Sequence, residues 1–287
     1  MNDALGDRIK SQYEDRTRTF LPRRTYTVIR VDGKAFHTLT RGFSRPFDRD
    51  LETIMDLTAI RLCEEVQGAK FAFVQSDEIS LLLTDFETPT TCAWYDGNVQ
   101  KMASVSAAIA TAEFNKALLN TAGLNVKAHV TNDKFLTNGK GVKTAYFDSR
   151  VFTIPDVVEV ENYFIWRQND ASRNSVQMAA RAVYGHKQLE GQGIPQLHDL
   201  LHAKGINWND YPTGEKRGRI IKKEKYWVAS PNDGEDNVER SRWVSFDGRG
   251  CNEKYEIPIF TQNRNFLRDL IPTIEGFDFD ETKKDNK

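Results

Sequence analysis

Two acidic motifs in the first third of the chain have the residue types of an ion-binding site. Asp32-Gly33 directly follows Tyr26–Val31, whose β-branched residues predict a buried strand. Asp77-Glu78 separates two short apolar runs, Phe71–Val74 and Ile79–Leu83, and this pattern predicts a hairpin with acids at its tip. Either motif alone is also typical of an ordinary turn, because Asp and Gly are common in turns.

Carboxylates that meet at one edge of a sheet favour a bound cation. Two carboxylates a few ångströms apart resist joint ionisation unless a cation lies between them. Ligation by oxygen alone suits Mg²⁺, which keeps several waters and takes further ligands from phosphates. A pair of such ions activates an attacking hydroxyl and stabilises a leaving pyrophosphate. Asp32 and Asp77 together therefore predict the nucleotidyl-transfer site of a polymerase-like palm.

The loop after the first acid is led by glycine and has the composition of an anion site. Successive backbone N–H groups of Gly33, Lys34, Ala35, Phe36 and His37 would make a concave surface for phosphate. The Lys34 side chain would add positive charge against a triphosphate. The loop differs from the Walker pattern, and His37 taken alone is more typical of a structural histidine.

The elements around these residues follow a known order. Arg49–Val66 has apolar residues at helical spacing, and the Ala-rich stretch Asn98–Leu119 predicts a second helix packed closely on a sheet. Val126–Val130 and Tyr146–Phe152 are further strand candidates. The order strand, helix, strand, strand, helix, strand is the split βαβ, or ferredoxin-like, arrangement of an α+β fold. Its first and third strands are central neighbours, which would bring the two acidic motifs together.

The residue pattern changes midway along the chain, so we predict two domains. Residues 1–155 form the predicted palm-like catalytic domain, and residues 156–287 a helical and basic region packed on it. Val157–Tyr184 predicts a long helix, in which we interpret Tyr163 and Trp166 as core residues. A second helix and a basic, strand-like stretch follow at Ile194–Lys204 and Tyr211–Val244.

Composition excludes several classes of protein. The 287 residues include 40 basic and 41 acidic side chains, and this balance excludes a uniformly basic binder while allowing a local basic patch. No run approaches the roughly 18 apolar residues of a membrane span, and the N-terminus lacks a signal-peptide pattern, so we expect a cytoplasmic protein with no membrane partner. Cys63, Cys92 and Cys251 are spaced for neither a zinc motif nor a disulfide scaffold.

Several motifs occur in a fixed order across roughly residues 5–228. They read RVDGKAFH at Arg30–His37, FSRPFD at Phe43–Asp48, QSDE at Gln75–Glu78, FDSRVF at Phe147–Phe152, YFIWRQND at Tyr163–Asp170 and HKQLEG at His186–Gly191. Together they closely resemble the tRNA-histidine guanylyltransferase family. The resemblance implies an enzyme that adds nucleotides to the 5′ end of tRNA in the 3′–5′ direction.

The resemblance also implies roles for the acids and a reaction in two steps. Asp32, the Gly33 carbonyl and Asp77 would hold two Mg²⁺ ions, and Glu78 would support that catalytic site. A nucleoside triphosphate, GTP or ATP, would first activate the 5′ end of the RNA. The 3′-hydroxyl of the incoming nucleotide would then attack that end and release the activating group.

Binding residues follow from the same motifs. The backbone of residues 33–37, with Ser76, would cradle the nucleotide triphosphate, and Lys101 and Arg45 would lie near the activated 5′ end. We expect the C-terminal region to bind tRNA and the protein to form a homo-oligomer, a tetramer. The residues expected to contact tRNA are Arg167, Arg173, Asn174, His186 and Lys187.

One segment departs from the histidine-tRNA enzymes. Those proteins carry His-Ile-Asn-Asn after Trp-Arg-Gln, whereas this chain has Ser-Arg-Asn-Ser at residues 172–175. The segment is more similar to the guanylyltransferase-like branch, which is associated with template-dependent repair of truncated tRNA 5′ ends. Whether the protein repairs tRNA ends or adds G to histidine tRNA stays open at this point.

Two other functions fit parts of the pattern. A palm-type nucleotide or diguanylate cyclase also uses two carboxylates on a split βαβ sheet, but it would not need the RNA-suited C-terminal region. A catalytically silent RNA-binding protein would need the basic residues but neither Asp32 nor Asp77. The product formed from Mg²⁺, a labelled nucleotide and a truncated tRNA distinguishes the three functions.

Overall fold

A single antiparallel sheet is the framework of the molecule. The computed structural model describes residues 3–121, 143–228, 238–249 and 255–273. The sheet has the strand order β4-β1-β3-β2-β5-β6, with antiparallel pairing at every neighbour. The strands are β1 (Tyr26–Gly33), β2 (Ala69–Gln75), β3 (Glu78–Leu83), β4 (Phe147–Ile154), β5 (Arg219–Val228) and β6 (Val238–Phe246).

Helices cover both faces of this sheet. Short 3₁₀ or π segments lie at Lys10–Glu14, Asp15–Thr17, Trp94–Gly97 and Trp208–Asp210. The α-helices of the described ranges are α1 (Ala4–Ile9), α2 (Phe36–Leu39), α3 (Arg49–Glu65), α4 (Val99–Thr121), α5 (Val157–Val183), α6 (His186–Leu189), α7 (Ile194–Ala203), α8 (Thr213–Arg217) and α9 (Arg264–Arg268). None of these helices is long and apolar enough to cross a membrane.

The predicted α+β, split βαβ arrangement is confirmed. Strands β1 to β4 with helices α3 and α4 have the ferredoxin-like strand order 4-1-3-2, and β1 and β3 are central neighbours. The predicted strand Val126–Val130 lies outside the described residues. The stretch Tyr211–Val244, predicted as strand-like, begins instead with the short helix α8 and only then continues into β5.

The period-two alternation of β1 divides the core into two layers. Ile29 and Val31 pack on the face covered by α3 and α4. Tyr26 and Val28 belong to the opposite layer, where Phe164 of α5 contributes a buried ring. Both layers are needed because a central strand buries side chains on each face.

Helix α5 links the sheet to the C-terminal helices. Its N-terminus is capped by Asp156, whose carboxylate accepts hydrogen bonds from the backbone N–H groups of residues 158 and 159. Its first half packs on the sheet, with the Phe164 ring 4.6 Å from that of Phe71. Its second half packs against Leu197 and Leu201 of α7. A single helix therefore packs on the sheet with its first half and on α7 with its second half.

Strands β5 and β6 extend the sheet beyond β2. Phe71–Val74 of β2 pairs with the first four residues of β5. Arg219 at the start of β5 is buried, and its Nε donates a 2.6 Å hydrogen bond to Asp56 of α3. Residues from the second half of the chain thus complete the sheet that begins with β1. The domain boundary at residue 155 stays a prediction.

Candidate active site

The structure brings the predicted acids to one edge of the sheet. Asp32, near the end of β1, lies opposite Glu78 of β3 in the strand register. The Gly33 N–H donates a 3.1 Å hydrogen bond to the carbonyl oxygen of Asp77, which closes this edge between β1 and the β2–β3 turn. Asp32, Asp77 and Glu78 are all half-buried. The convergence follows from the strand order, since β1 and β3 are adjacent.

A two-residue turn between β2 and β3 positions Asp77. Ser76 adopts a left-handed backbone conformation with φ of 48°, as a tight hairpin requires. Burial raises the pKa of the Asp77 carboxyl, and the negative charge of Asp32 adds to that rise. Hydrogen bonds from the backbone of Asp77 and from Ser76 act in the opposite direction, as does the nearby His37. Asp77 is therefore a carboxylate whose negative charge is incompletely compensated by the protein.

The donor chemistry of this edge fits Mg²⁺. Carboxylate and backbone carbonyl oxygens are the hard ligands that this ion prefers, and a cation would relieve the repulsion between Asp32 and Asp77. Across the described ranges, no three His, Cys, Asp or Glu side chains form a metal-binding group. Mg²⁺ at this edge would thus be held by two side chains together with backbone, water and phosphate oxygens.

The loop of residues 33–37 is tightly packed at its base. A side chain at Gly33 would overlap the ring of Phe36, which is itself buried against Phe114 and Phe147 with ring centroids 5.2 Å apart in each case. Ala35 has a left-handed φ of 56° and precedes the short helix α2. This backbone turns the chain sharply away from the sheet edge.

Two of the backbone N–H groups expected to bind phosphate already donate hydrogen bonds to carbonyl oxygens of the protein. The Gly33 N–H bonds to Asp77, and the Lys34 N–H donates a 2.8 Å hydrogen bond to the carbonyl oxygen of Tyr146. Because strand pairing with β4 continues into the loop, only its later residues can present backbone to a ligand. The Lys34 and His37 side chains are exposed.

A cleft of about 600 Å³ opens beside the acidic edge. This volume lies in the range of small-molecule and nucleotide sites. Its walls come from the 33–37 loop, the β2–β3 turn, residues 43–48, and helices α5 and α8. Among its lining residues are Gly33, Ala35, Phe36, His37, Arg45, Ser76, Asp77, Asn174, Arg181 and Arg219. The cleft therefore joins the predicted triphosphate loop to one of the acids and to several basic side chains.

Arg167 is placed differently from the expectation. It was predicted to contact tRNA, yet only 5% of it is exposed and its guanidinium forms a two-pronged ion pair with Glu78. Nε donates to Oε1 at 2.8 Å and Nη2 to Oε2 at 2.7 Å. The reason is the direction of the α5 face, which turns Arg167 toward β3. Burial raises the pKa of Glu78, and the positive charges of Arg167 and Arg30 oppose that rise.

Asp170 joins the acidic edge to the outer surface of α5, and sequence reasoning missed it. Its carboxylate accepts a 3.4 Å hydrogen bond from Gln75, the last residue of β2. It also accepts bonds from Arg167, Arg173 and Asn174 at 3.2 to 3.3 Å. The spacing of three and four residues between these side chains on a predicted helix was the signal that could have found it.

The other predicted binding residues are spread over the surface. Arg173 and Asn174 are exposed on α5, and His186 and Lys187 are exposed on the short helix α6. Lys101 is exposed in the first turn of α4, with its Nζ 5.9 Å from the centre of the Tyr95 ring, and does not line the cleft. Of the predicted site residues, the cleft is thus lined by Gly33, Ala35, Phe36, His37, Arg45, Ser76, Asp77 and Asn174, and the others lie outside its lining.

The core interpretation of Trp166 is wrong. Tyr163 is half-buried and its hydroxyl lies 2.9 Å from that of Ser80, whereas 48% of Trp166 is exposed. Helical spacing placed both residues on one side of α5, but the sheet covers only part of that side. The Trp166 ring therefore lies on the outer surface of α5, close to the acidic edge.

Comparisons with known proteins show the family of this chain. The tRNAHis guanylyltransferase (Thg1) family profile matches residues 6–155. An uncharacterised protein of Acanthamoeba polyphaga mimivirus is 31% identical over 236 residues, 78% of each chain. The tRNA(His) guanylyltransferase of Schizosaccharomyces pombe is 27% identical over 237 residues, which cover 78% of this chain and 80% of that protein.

Solved structures give the same result. A bacterial tRNA(His) guanylyltransferase-like protein in complex with ATP has a TM-score of 0.76 and 38% identity, covering 94% of this chain and 99% of that one. A complex with GTP, also of a bacterial tRNA(His) guanylyltransferase-like protein, has a TM-score of 0.72 and 36% identity, with 93% and 99% coverage. The chain is therefore a nucleotidyltransferase that belongs to the tRNA-histidine guanylyltransferase family.

Proposed function

We propose that the protein adds nucleotides to the 5′ end of tRNA in the 3′–5′ direction, with Asp32 and Asp77 holding two Mg²⁺ ions. The observation that carries this proposal is the meeting of both acids at one sheet edge beside a 600 Å³ cleft. The substrate class is supported by the name of the S. pombe relative. Nucleotide binding is supported by the ATP and GTP complexes of the bacterial structures.

The residues of the acidic edge would have different roles in catalysis. Asp32, the Gly33 carbonyl and Asp77 would hold the ions, which when bound activate a hydroxyl and stabilise a leaving phosphate. Glu78 would support the site without holding an ion itself, since its carboxylate is already paired with Arg167.

The cleft would receive the nucleotide. Its triphosphate would lie along Ala35, Phe36 and His37, with Ser76 at one side, because these residues line the cleft next to Asp77. Arg45, which also lines the cleft, would contribute positive charge. Lys34 and Lys101 lie outside the lining, so they would act on the RNA end instead.

The reaction would take place in two steps, activation of the RNA 5′ end and then transfer of the nucleotide. An oxygen of the RNA 5′-phosphate attacks the α-phosphorus of GTP or ATP, and pyrophosphate leaves. The 3′-hydroxyl of the incoming nucleotide then attacks the 5′-phosphorus of the RNA, loses its proton, and releases the activating nucleoside monophosphate. Both steps need the nucleotide and the RNA end at one acidic edge, as the cleft beside Asp77 allows.

The direct test of this function uses the product. The protein is incubated with Mg²⁺, labelled GTP and a tRNA that lacks its first nucleotide. Label at the 5′ end of the RNA is the expected result. A small cyclic product would instead identify a palm-type cyclase, and RNA binding without any product would identify a silent RNA-binding protein.

We further propose that the added nucleotide follows the template base, as in repair of truncated tRNA ends. The support is the Ser-Arg-Asn-Ser sequence at residues 172–175, which replaces the His-Ile-Asn-Asn of the histidine-tRNA enzymes. Pairing with the opposite base would supply selectivity without dedicated protein contacts. Incorporation of each nucleotide opposite each template base tests this, and addition of G whatever the template would refute it.

We also propose a homo-oligomer, a tetramer. Helix α1 and the π segment after it bury no residue within the chain and expose Leu5, Ile9 and Tyr13 on successive turns. Contact with another subunit would cover this apolar stripe. Size-exclusion chromatography with light scattering measures the mass of the protein in solution. A monomer at micromolar concentration would contradict the proposal.

A further inference from the structure

The exposed ring of Trp166 contacts two neighbouring side chains although the fold does not bury it. The Arg167 guanidinium carbon lies 4.4 Å from the centre of the indole ring, and the Tyr163 ring approaches it at 5.9 Å. Trp166 belongs to none of the three hydrophobic clusters of the described chain. A tryptophan can bury 150 to 250 Å² of surface, so a half-exposed one leaves a large apolar area in water.

The neighbours of Trp166 connect it to the acidic edge. Arg167, beneath the ring, is ion-paired with Glu78, and Tyr163 is hydrogen-bonded to Ser80 of the same strand. The Trp166 ring is therefore connected to β3 by two side chains, Arg167 and Tyr163, and β3 is the strand that pairs with β1 at Asp32. A ring that is exposed and yet anchored loses little conformational freedom when a ligand covers it.

Helical spacing places Trp166 on the same side of α5 as Asn174, a residue of the cleft lining that lies about two turns further along the helix. Trp166, Asp170 and Asn174 are four residues apart on α5, so they form one stripe along the helix. Asn174 lines the cleft and Trp166 does not. Arg173, with its side chain 57% exposed, lies next to the same stripe. A strand of RNA that enters the cleft along α5 would pass a basic side chain and an exposed aromatic ring.

We propose that Trp166 is a stacking platform for the nucleobase at the 5′ terminus of the RNA. This inference rests on the proposed function and deepens it by naming how the RNA end is positioned. RNA-binding proteins commonly stack unpaired or terminal bases on aromatic rings, and a guanidinium against the ring strengthens such sites. The RNA is the source of the base, because a nucleotide in the cleft does not face a ring outside the cleft lining. Trp166 is thus a positioning residue.

The test is a double-mutant cycle between the ring and the base. Binding is measured without nucleoside triphosphates, using labelled truncated tRNA with either a normal or an abasic 5′-terminal nucleotide. Trp166→Leu should weaken binding of the normal RNA by about 5-fold to about 150-fold, the range of one lost stacking contact. It should leave binding of the abasic RNA unchanged, and Trp166→Phe should lie between Leu and the wild type.

Trp227→Leu is the matched control, because Trp227 is a 66% exposed tryptophan at the far end of β5. Its effect should be the same on both RNAs. Equal losses by Trp166→Leu on both RNAs, or no loss on either, would overturn the inference. So would an unchanged RNA affinity with a weakened affinity for GTP in a separate binding titration. Because binding is measured without catalysis, failure of the wild type to add a nucleotide would defeat the proposed function alone.

Discussion

At the residue scale, the Arg167–Glu78 pair shows how burial changes the role of a charged side chain. Both groups lie largely out of water, and the guanidinium matches the carboxylate with two short hydrogen bonds. Desolvation of such a pair is costly, so the pair contributes little net stability while the loss of one partner is severe. Arg167 is therefore a support for the acidic edge and is not available to RNA phosphates.

We predict that Arg167→Met lowers the free energy of unfolding by about 3–5 kcal/mol, since it leaves a buried carboxylate unpaired. Denaturant unfolding measures the effect. Arg173→Met, further along the same helix and with an exposed side chain, is the control and should change stability by less than about 1 kcal/mol. Adding Glu78→Gln to Arg167→Met should recover much of the loss, and a loss no greater than that of the control would contradict the buried pair.

At the element scale, local patterns were sufficient for the split βαβ unit. The alternation of β1 and the helical spacing of α3 are local properties, and together with the other local patterns they predict the strand order. That order predicts that Asp32 and Asp77 meet, because β1 and β3 are neighbours. The pairing of β5 with β2 joins segments about 150 residues apart, and no local period encodes such a contact. Strand order could thus be predicted only within the first four strands.

The same limit explains the misplaced side chains of the site. A basic residue on a long helix is usually solvated, so the sequence alone could not reveal that Arg167 faces Glu78. Helical spacing shows which residues share a side, but the part of that side covered by the sheet depends on how α5 crosses it. For that reason Trp166 was predicted as core and is exposed.

Helix α3 is tied to the added strands by a buried polar cluster. Asp56 accepts hydrogen bonds from Arg219 of β5 at 2.6 Å and from Ser245 of β6 at 2.7 Å. We predict that Asp56→Ala lowers stability by about 3–5 kcal/mol, because the buried Arg219 would lose its hydrogen-bonded carboxylate and keep only Glu52, whose Oε1 lies 3.9 Å from its Nη1. Glu64→Ala, at an exposed position on the same helix, is the control. Thermal and urea unfolding measure both variants, and equal stabilities would show that β5 is not fixed to α3 in this way.

At the scale of the whole molecule, the numbers of basic and acidic side chains nearly balance. The net charge of −1 gives no general attraction for RNA, so binding must depend on local basic residues. Arg173 on α5 and Lys187 on α6 are exposed and lie C-terminal to the residues of α5 that pack on the sheet. Arg173 is partly compensated by Asp170, which makes Lys187 the stronger candidate for a phosphate contact.

We predict that neutralising Lys187 or Arg173 weakens tRNA binding more than nucleotide binding. Each lost phosphate contact should reduce the slope of log affinity against log salt by about 0.7 to 0.9. Titrations with tRNA at several salt concentrations measure the slope, with Lys116→Gln on the exposed surface of α4 as the control. A lower melting temperature with an unchanged slope would show a structural role instead, and equal losses for GTP and tRNA would place these residues in the nucleotide site.

The most direct measurement is transfer of labelled nucleotide to the 5′ end of truncated tRNA by the wild type, Asp32→Asn and Asp77→Asn, with Asp96→Asn at an exposed position as control. We predict that both edge variants lose at least about 100-fold in rate, because each would remove one of the two carboxylates proposed to hold Mg²⁺. The melting temperature of Asp77→Asn should be unchanged or higher, since burial already disfavours the charged form of that carboxyl and raises its pKa. Near-normal transfer by either edge variant, with the wild type active, would contradict the assignment of the carboxylates.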